Sequence, residues 1–219
     1  MNRSTVFTWA ATVVLGLGLT TACAPAEANS AAPAQASADA AQHSRPNPYQ
    51  FLPQTRSFTL TSDTVRNGQS MPIDQRSGIF GVPGGKDISP QLSWSGYPAG
   101  TKSFVVSMYD PEAPTGSGFW HWVVANIPAT TTSLPVGAGT PDSHQLPAGA
   151  IQLSGDAGAA RYIGAAPPAG SGVHDYYLTV TALDVPSVDV TAATSGALLG
   201  FTIGSHTIGR ATLVSPSHS

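Results

Sequence analysis

Two short stretches of the chain concentrate side chains able to do chemistry. Asp110-Pro111-Glu112-Ala113-Pro114 carries two carboxylates two residues apart, and Gly118-Phe119-Trp120-His121-Trp122 follows with an imidazole between two indoles. Further on, Gly164-Ala165-Ala166-Pro167-Pro168-Ala169-Gly170 leads into His174-Asp175-Tyr176, adding a second imidazole and a phenol. An extended backbone sends alternate side chains to one side, so Asp110 and Glu112 are expected to point together, as are His174 and Tyr176. The prolines stiffen both loops and lower the ordering cost of binding. The expected result is one small cavity with apolar walls from Phe119, Trp120 and Trp122 and a few placed polar groups, the usual anatomy of a small-ligand site. A neutral imidazole donates one hydrogen bond, and an imidazolium donates two and carries charge.

These groups need strands to hold them. Strand chemistry marks Ser57 to Thr61, Gln91 to Ser95, Ser103 to Tyr109, Trp120 to Ile127, Ala150 to Leu153, Tyr176 to Leu183 and Thr207 to Val214. Phe104, Val106 and Met108 would share one face, with Val105 and Tyr109 on the other. Trp120 to Ile127 is apolar on both faces and should be covered on both. Turn signals separate these runs, among them Asn67-Gly68, Pro83-Gly84-Gly85 and Gly116-Ser117-Gly118. Only Val190 to Leu199 reads as a helix. The fold class expected is all-β: an antiparallel β-sandwich with one short C-terminal helix.

The first 22 residues read as a signal peptide. Arg3 precedes an uncharged apolar run from Val6 to Leu19, and small residues then lead to Cys23, the single cysteine of the chain. Leu19-Thr20-Thr21-Ala22-Cys23 resembles the lipobox of bacterial lipoproteins, with Thr20 where Leu or Val is usual. In that reading Cys23 becomes the diacylated N-terminus, and two acyl chains anchor stably where one does not. The alternative is plain secretion after cleavage near Ala24-Pro25-Ala26. Residues 23–55, rich in Ala, Pro and Ser, read as a tether, with Tyr49, Phe51 and Leu52 able to dock onto a domain spanning 56–219.

The three separated motifs, with Ile88-Ser89-Pro90-Gln91-Leu92-Ser93-Trp94 and Ala182-Leu183-Asp184 around them, are similar to the signature of the phosphatidylethanolamine-binding protein family. The likeness is to its bacterial, Raf-kinase-inhibitor-like branch and runs from about Phe58 to Val214. It implies a β-sandwich whose pocket takes phosphate-like anions and phospholipid head groups. With such a ligand, His121 and His174 are the expected partners of the anion, the carboxylates would orient the histidines, share a proton with the anion or meet a ligand ammonium, and binding is expected to strengthen as pH falls between about 8 and 5. Carried over by motif, the pocket residues are Asp110, Glu112, Pro114, His121, Ala166, His174 and Tyr176, with Trp120 at the rim. Four positions depart from the pattern. Glu112 stands where Asp is usual, Ala165-Ala166 replace Pro-Cys or Ser-Gly, and Asp175 occupies a position often held by Arg.

Function classes narrow accordingly. The net charge is −3 and the nine Lys and Arg are scattered, so no nucleic-acid face is expected. No Gly-x-Ser-x-Gly elbow and no phosphate-cradling Gly-Lys loop occurs. The leading expectation is a non-catalytic binding protein on the outer face of the cell membrane, with no cofactor and no resident metal. Its partners would be a small anion or phospholipid head group, and the membrane through lipidated Cys23. Two alternatives are a hydrolase using Asp110, Glu112, His121 and His174 with or without a metal, and an exported inhibitor that binds another protein.

Overall fold

The computed structural model describes residues 47–219, which belong to one compact unit. Cys23, the expected signal peptide and most of the expected tether lie outside the described residues. Among the described residues nine strands form two sheets. The larger has the order β1-β9-β8-β4-β5-β7, and the smaller has the order β2-β3-β6. The strands are β1 (Arg56–Ser57), β2 (Thr59–Thr61), β3 (Leu92–Ser95), β4 (Ser103–Asp110), β5 (Phe119–Pro128), β6 (Ser133–Leu134), β7 (Ile151–Gln152), β8 (Val173–Leu183) and β9 (Thr207–His218). All pairs are antiparallel except β1 with β9. The run expected as one strand from Ser57 divides at Phe58, giving one short strand to each sheet.

The core lies between the sheets. Phe104, Val106 and Met108 of β4 meet Tyr176, Leu178 and Val180 of β8, while Leu92 and Trp94 of β3 close the layer from the opposite sheet. Trp94 and Tyr97 each meet Phe104 edge-on, the geometry that aromatic quadrupoles favour. The outer face of the large sheet carries a second cluster, with Val105, Val123 and Leu153 under Leu199 and Ile203. β5 is thus covered on both faces, as its continuous apolar sequence requires.

Among the described residues the one α-helix, α1, runs Gly196–Ile203 rather than Val190 to Leu199. Ser195 supplies the reason: its side chain accepts the Leu198 N–H and caps the first turn. Val190 is buried against the sheet, and the segment after it turns through Thr191 and Thr194 instead of coiling.

Two irregularities in the β4–β5 ladder decide where side chains point. Met108 faces Trp122 and Tyr109 faces Trp120, so His121 is the extra residue of a β-bulge. Trp122 consequently enters the inner core, while Trp120 packs on the outer cluster. A second bulge falls between Phe104 and Val106, opposite Asn126, whose φ of 58° is in the left-handed region. The Asn126 side chain exchanges hydrogen bonds with the Val188 backbone and holds that bend.

Candidate anion-binding site

At the end of β4 the chain turns at Pro111. Asp110 Oδ1 accepts the N–H groups of Glu112 and Ala113 at 2.9 and 3.0 Å, an Asx-type turn. Its other oxygen, Oδ2, accepts from His174 Nδ1 at 2.7 Å. Both groups are buried, with side-chain exposures of 1% for His174 and 3% for Asp110. The carboxylate therefore accepts three hydrogen bonds within the protein before any ligand arrives.

The same turn breaks the strand alternation that would have aimed Glu112 alongside Asp110. Glu112 Oε2 instead accepts the Asp175 N–H at 2.9 Å and ties the loop to β8. β8 begins earlier than its apolar run suggested, so His174 and Tyr176 lie within a strand. The Tyr176 hydroxyl accepts the Ala166 N–H at 3.2 Å, which fixes the proline-rich loop over the core. Burial pushes the Tyr176 phenol well up, so it stays neutral.

A cavity of about 720 Å³ opens where these elements meet. Its polar lining includes Arg76, Asp110, Thr115 and His121. Its apolar walls come from Phe80, Val82, Pro114, Phe119, Pro167 and Pro168, with Ala166 between them. Of the residues expected from sequence, Asp110, Pro114, His121 and Ala166 line this cavity. Glu112, His174 and Tyr176 do not: the first is turned away, and the other two stand behind the wall. Trp120 is a clear correction. The bulge at His121 puts it on the opposite face of the sheet, against Tyr109. Trp122 likewise leaves the wall, donating from Nε1 to Gln152 Oε1 in the core.

Sequence reasoning missed two contributors. One is the Ile79–Pro83 loop, whose exposed Phe80 meets Phe119 edge-on at 6.0 Å. The more consequential one is Arg76, the one permanently charged cation among the lining residues. Ala165 and Arg76 form a parallel bridge, so the proline-rich motif itself holds Arg76 in place. Arg76 Nη2 donates to the His218 carbonyl at 2.6 Å, and Nε is buried without a partner. A signal was present in the sequence: Arg76 closes a short polar Ile73-Asp74-Gln75-Arg76 run, yet no pattern links it to residues some ninety positions later.

His121 is held by its surroundings in one tautomer. Its Nδ1 lies 3.1 Å from the Ile163 carbonyl, to which it donates. The ring stands edge-on to Tyr176, with Phe119 on another side. Burial pushes its pKa down to about 4, with the Asp110 carboxylate opposing. Unfolded, the ring has an ordinary pKa near 6.5. Between those values the unfolded chain binds a proton that the folded one does not. Stability is thus expected to be complete above about pH 6.5 and to fall by about 3 kcal/mol as pH is lowered to about 4. Urea denaturation of the native protein and of His121→Asn across that range checks this; the asparagine variant should lose most of the slope.

Comparison with known proteins places this geometry. Residues 61–216 match the family model described as phosphatidylethanolamine-binding protein. The chain is 46% identical to YbcL of Escherichia coli over 161 residues, covering 74% of this chain and 87% of that protein. It is also 46% identical to YbhB of Escherichia coli over 154 residues, covering 70% of this chain and 96% of that one. The crystal structure of Escherichia coli YbcL superposes with a TM-score of 0.71 at 44% identity, covering 74% of this chain and 98% of that one. That of CT736 from Chlamydia trachomatis gives 0.62 at 27%, covering 75% and 99%. A more distant relative is LppC of Mycobacterium tuberculosis, named as a lipoprotein. It is 31% identical over 133 residues, covering 61% of this chain and 59% of that one. The fold is a β-sandwich binding-protein fold with its cavity at one end of the large sheet. The chain belongs to the phosphatidylethanolamine-binding protein family.

Proposed function

We propose that the protein is a non-catalytic receptor for phosphate-type anions, including phosphoethanolamine-like head groups, held at the outer face of the cell membrane by lipidated Cys23. One observation carries the ligand reading. Arg76 and His121 line an apolar-walled cavity in which the one side-chain carboxylate among the lining residues, Asp110, already accepts three hydrogen bonds from the protein. The guanidinium supplies a permanent charge and a fork that suits phosphate oxygens. Neutral His121, with Nδ1–H committed to Ile163, has only its Nε2 lone pair to offer, so it accepts the proton of a phosphate monoanion.

An anion beside His121 raises the pKa of the ring from its value of about 4. Affinity therefore rises as pH falls from the anion-bound pKa to about 4, with proton uptake on binding. Titration calorimetry with inorganic phosphate and phosphoethanolamine in buffers of different ionisation heat tests this. Proton uptake that grows below neutral pH supports the reading, and saturable binding by neither compound removes it. Tighter binding of phosphoethanolamine than phosphate identifies head groups as the preferred class.

The membrane reading rests on the apolar run before Cys23 and on the similarity to LppC, whose name describes it as a lipoprotein. Cys23→Ala is expected to move the protein from the membrane pellet to the soluble exported fraction after cell fractionation. Unchanged pelleting would show that something other than acyl chains holds it.

A further inference from the structure

The opposite face of the large sheet carries a second cavity of about 440 Å³, with no lining residue in common with the anion cavity. Its floor is formed by Val105, Ser107, Trp120, Val123, Thr181 and Arg210, all on sheet strands. The bulge that points His121 toward one cavity is what gives Trp120 to the other. Its roof is α1 together with residues Pro48 to Thr55. Apart from Arg210, the lining is apolar or hydroxylic. Leu52 and Phe201 stand at its edge, exposed by 43% and 86%.

Two features set this cavity apart from an ordinary gap under a helix. First, Arg210 is half-buried with its guanidinium 5.3 Å from the centre of the Tyr49 ring, and among the described residues no carboxylate lies within ion-pair distance of it. A cation in apolar surroundings without a counter-ion is costly, and an arriving anion would relieve that cost. Second, the roof segment is weakly attached. Among the described residues, the backbone hydrogen bonds between Asn47 and Leu52 run only within the segment, from Gln50 to Asn47 and from Leu52 to Tyr49. Tyr49 anchors it, edge-on to Tyr177 at 6.1 Å and against Arg210. Its hydroxyl is buried without a partner at normal hydrogen-bond geometry, although Ser107 and Thr179 lie close by. A plug whose hydroxyl meets its neighbours in poor geometry and which leaves a cation without a counter-ion among the described residues is exchangeable for a better-matched occupant.

We infer that this second cavity binds a single alkyl chain bearing an anionic group, the chain lying between α1 and the sheet and the anion meeting Arg210. The volume falls in the range of small-molecule sites, about 300–1,000 Å³. A bare anion would leave the apolar walls unfilled, and a neutral alkane would leave Arg210 without a counter-charge. The chemistry of the cavity asks for both in one molecule. A long-chain carboxylate is the simplest such ligand.

Chemical shifts of the full chain, followed while adding decanoate, octanoate or decanol, test this. Decanoate is expected to give saturable shifts at Ser107, Thr181 and Gly200 and none at His121 or Ala166. Affinity should rise about fourfold per methylene, so octanoate binds about sixteenfold more weakly. Decanol should bind at least about tenfold more weakly than decanoate. Arg210→Gln should reduce decanoate to the level of decanol, and Arg210→Lys should keep most of the difference. Saturation with phosphate should leave decanoate binding unchanged. Equal binding of decanol and decanoate overturns the inference. So do shifts confined to the His121 cavity, and so do ligand-free shifts that vary with protein concentration, which would assign the face to self-association.

Discussion

Asp110→Ala is expected to lower the free energy of unfolding by about 3–5 kcal/mol. Three donors converge on this carboxylate: the N–H groups of Glu112 and Ala113 and the Nδ1–H of His174. Alanine strands all three at a site where His174 is 1% exposed. Nor can the imidazole escape by switching tautomer without cost, because Nε2 is also buried without a partner. Asp110→Asn should be milder, about 1–2 kcal/mol. Its amide oxygen keeps the turn, and its NH₂ can donate to a His174 ring protonated on Nε2 instead. Urea denaturation of the three proteins gives the comparison. A cost below about 1 kcal/mol for the alanine variant would mean that the turn and His174 find other partners and that the buried pair does not set the site.

Arg76→Gln is expected to weaken phosphate binding about 10–100-fold while changing stability by less than about 1 kcal/mol. Arg76 is the only permanent cation among the cavity's lining residues, and its side chain makes one hydrogen bond to protein, to the His218 carbonyl. Losing that bond at an exposed position costs the fold little. Losing a charged fork from an apolar-walled cavity costs an anion much. Arg76→Lys should recover part of the affinity, because it restores charge but not the fork. Calorimetric titration with phosphate reads both variants. The position of Arg76 depends on a close approach of backbones. A Cβ on Gly164 would come within 2.3 Å of the Arg76 carbonyl carbon, so only glycine lets the two segments bridge. The glycine that opens the proline-rich motif thus lets Arg76 stand beside His121.

The strands that frame the site were legible because their sequences alternate cleanly. β4 presents Phe104, Val106 and Met108 inward and Val105 outward, as the pattern requires. Asp110, Pro114, His121 and Ala166 were likewise legible from the motifs. What failed was the extension of strand geometry through positions where it stops. Glu112 follows a proline at a turn, and the period of two no longer applies there. Trp120 and Trp122 should share a face in a regular strand, yet a one-residue bulge separates them. A bulge leaves little trace in a single sequence, because it depends on the register of the partner strand. The helix expected over Val190 to Leu199 starts later, at Gly196, because Ser195 caps its first turn. Arg76 was invisible for a different reason: it reaches the site by a contact between residues far apart in the chain.

Fold, charge and proton chemistry meet at the cavity shared by Arg76, Asp110 and His121. The most direct test is a titration of the native protein with inorganic phosphate, followed by backbone amide and histidine ring nitrogen shifts. Saturable changes at Arg76, His121 and Ala166 are predicted. The His121 Nε2 resonance should move from the signature of a bare lone pair toward that of a protonated nitrogen, and the His174 Nδ1 signal should stay in place because Asp110 holds it. A well-folded spectrum in which these residues do not respond, or in which His174 responds and His121 does not, would contradict an anion site built on Arg76 and His121.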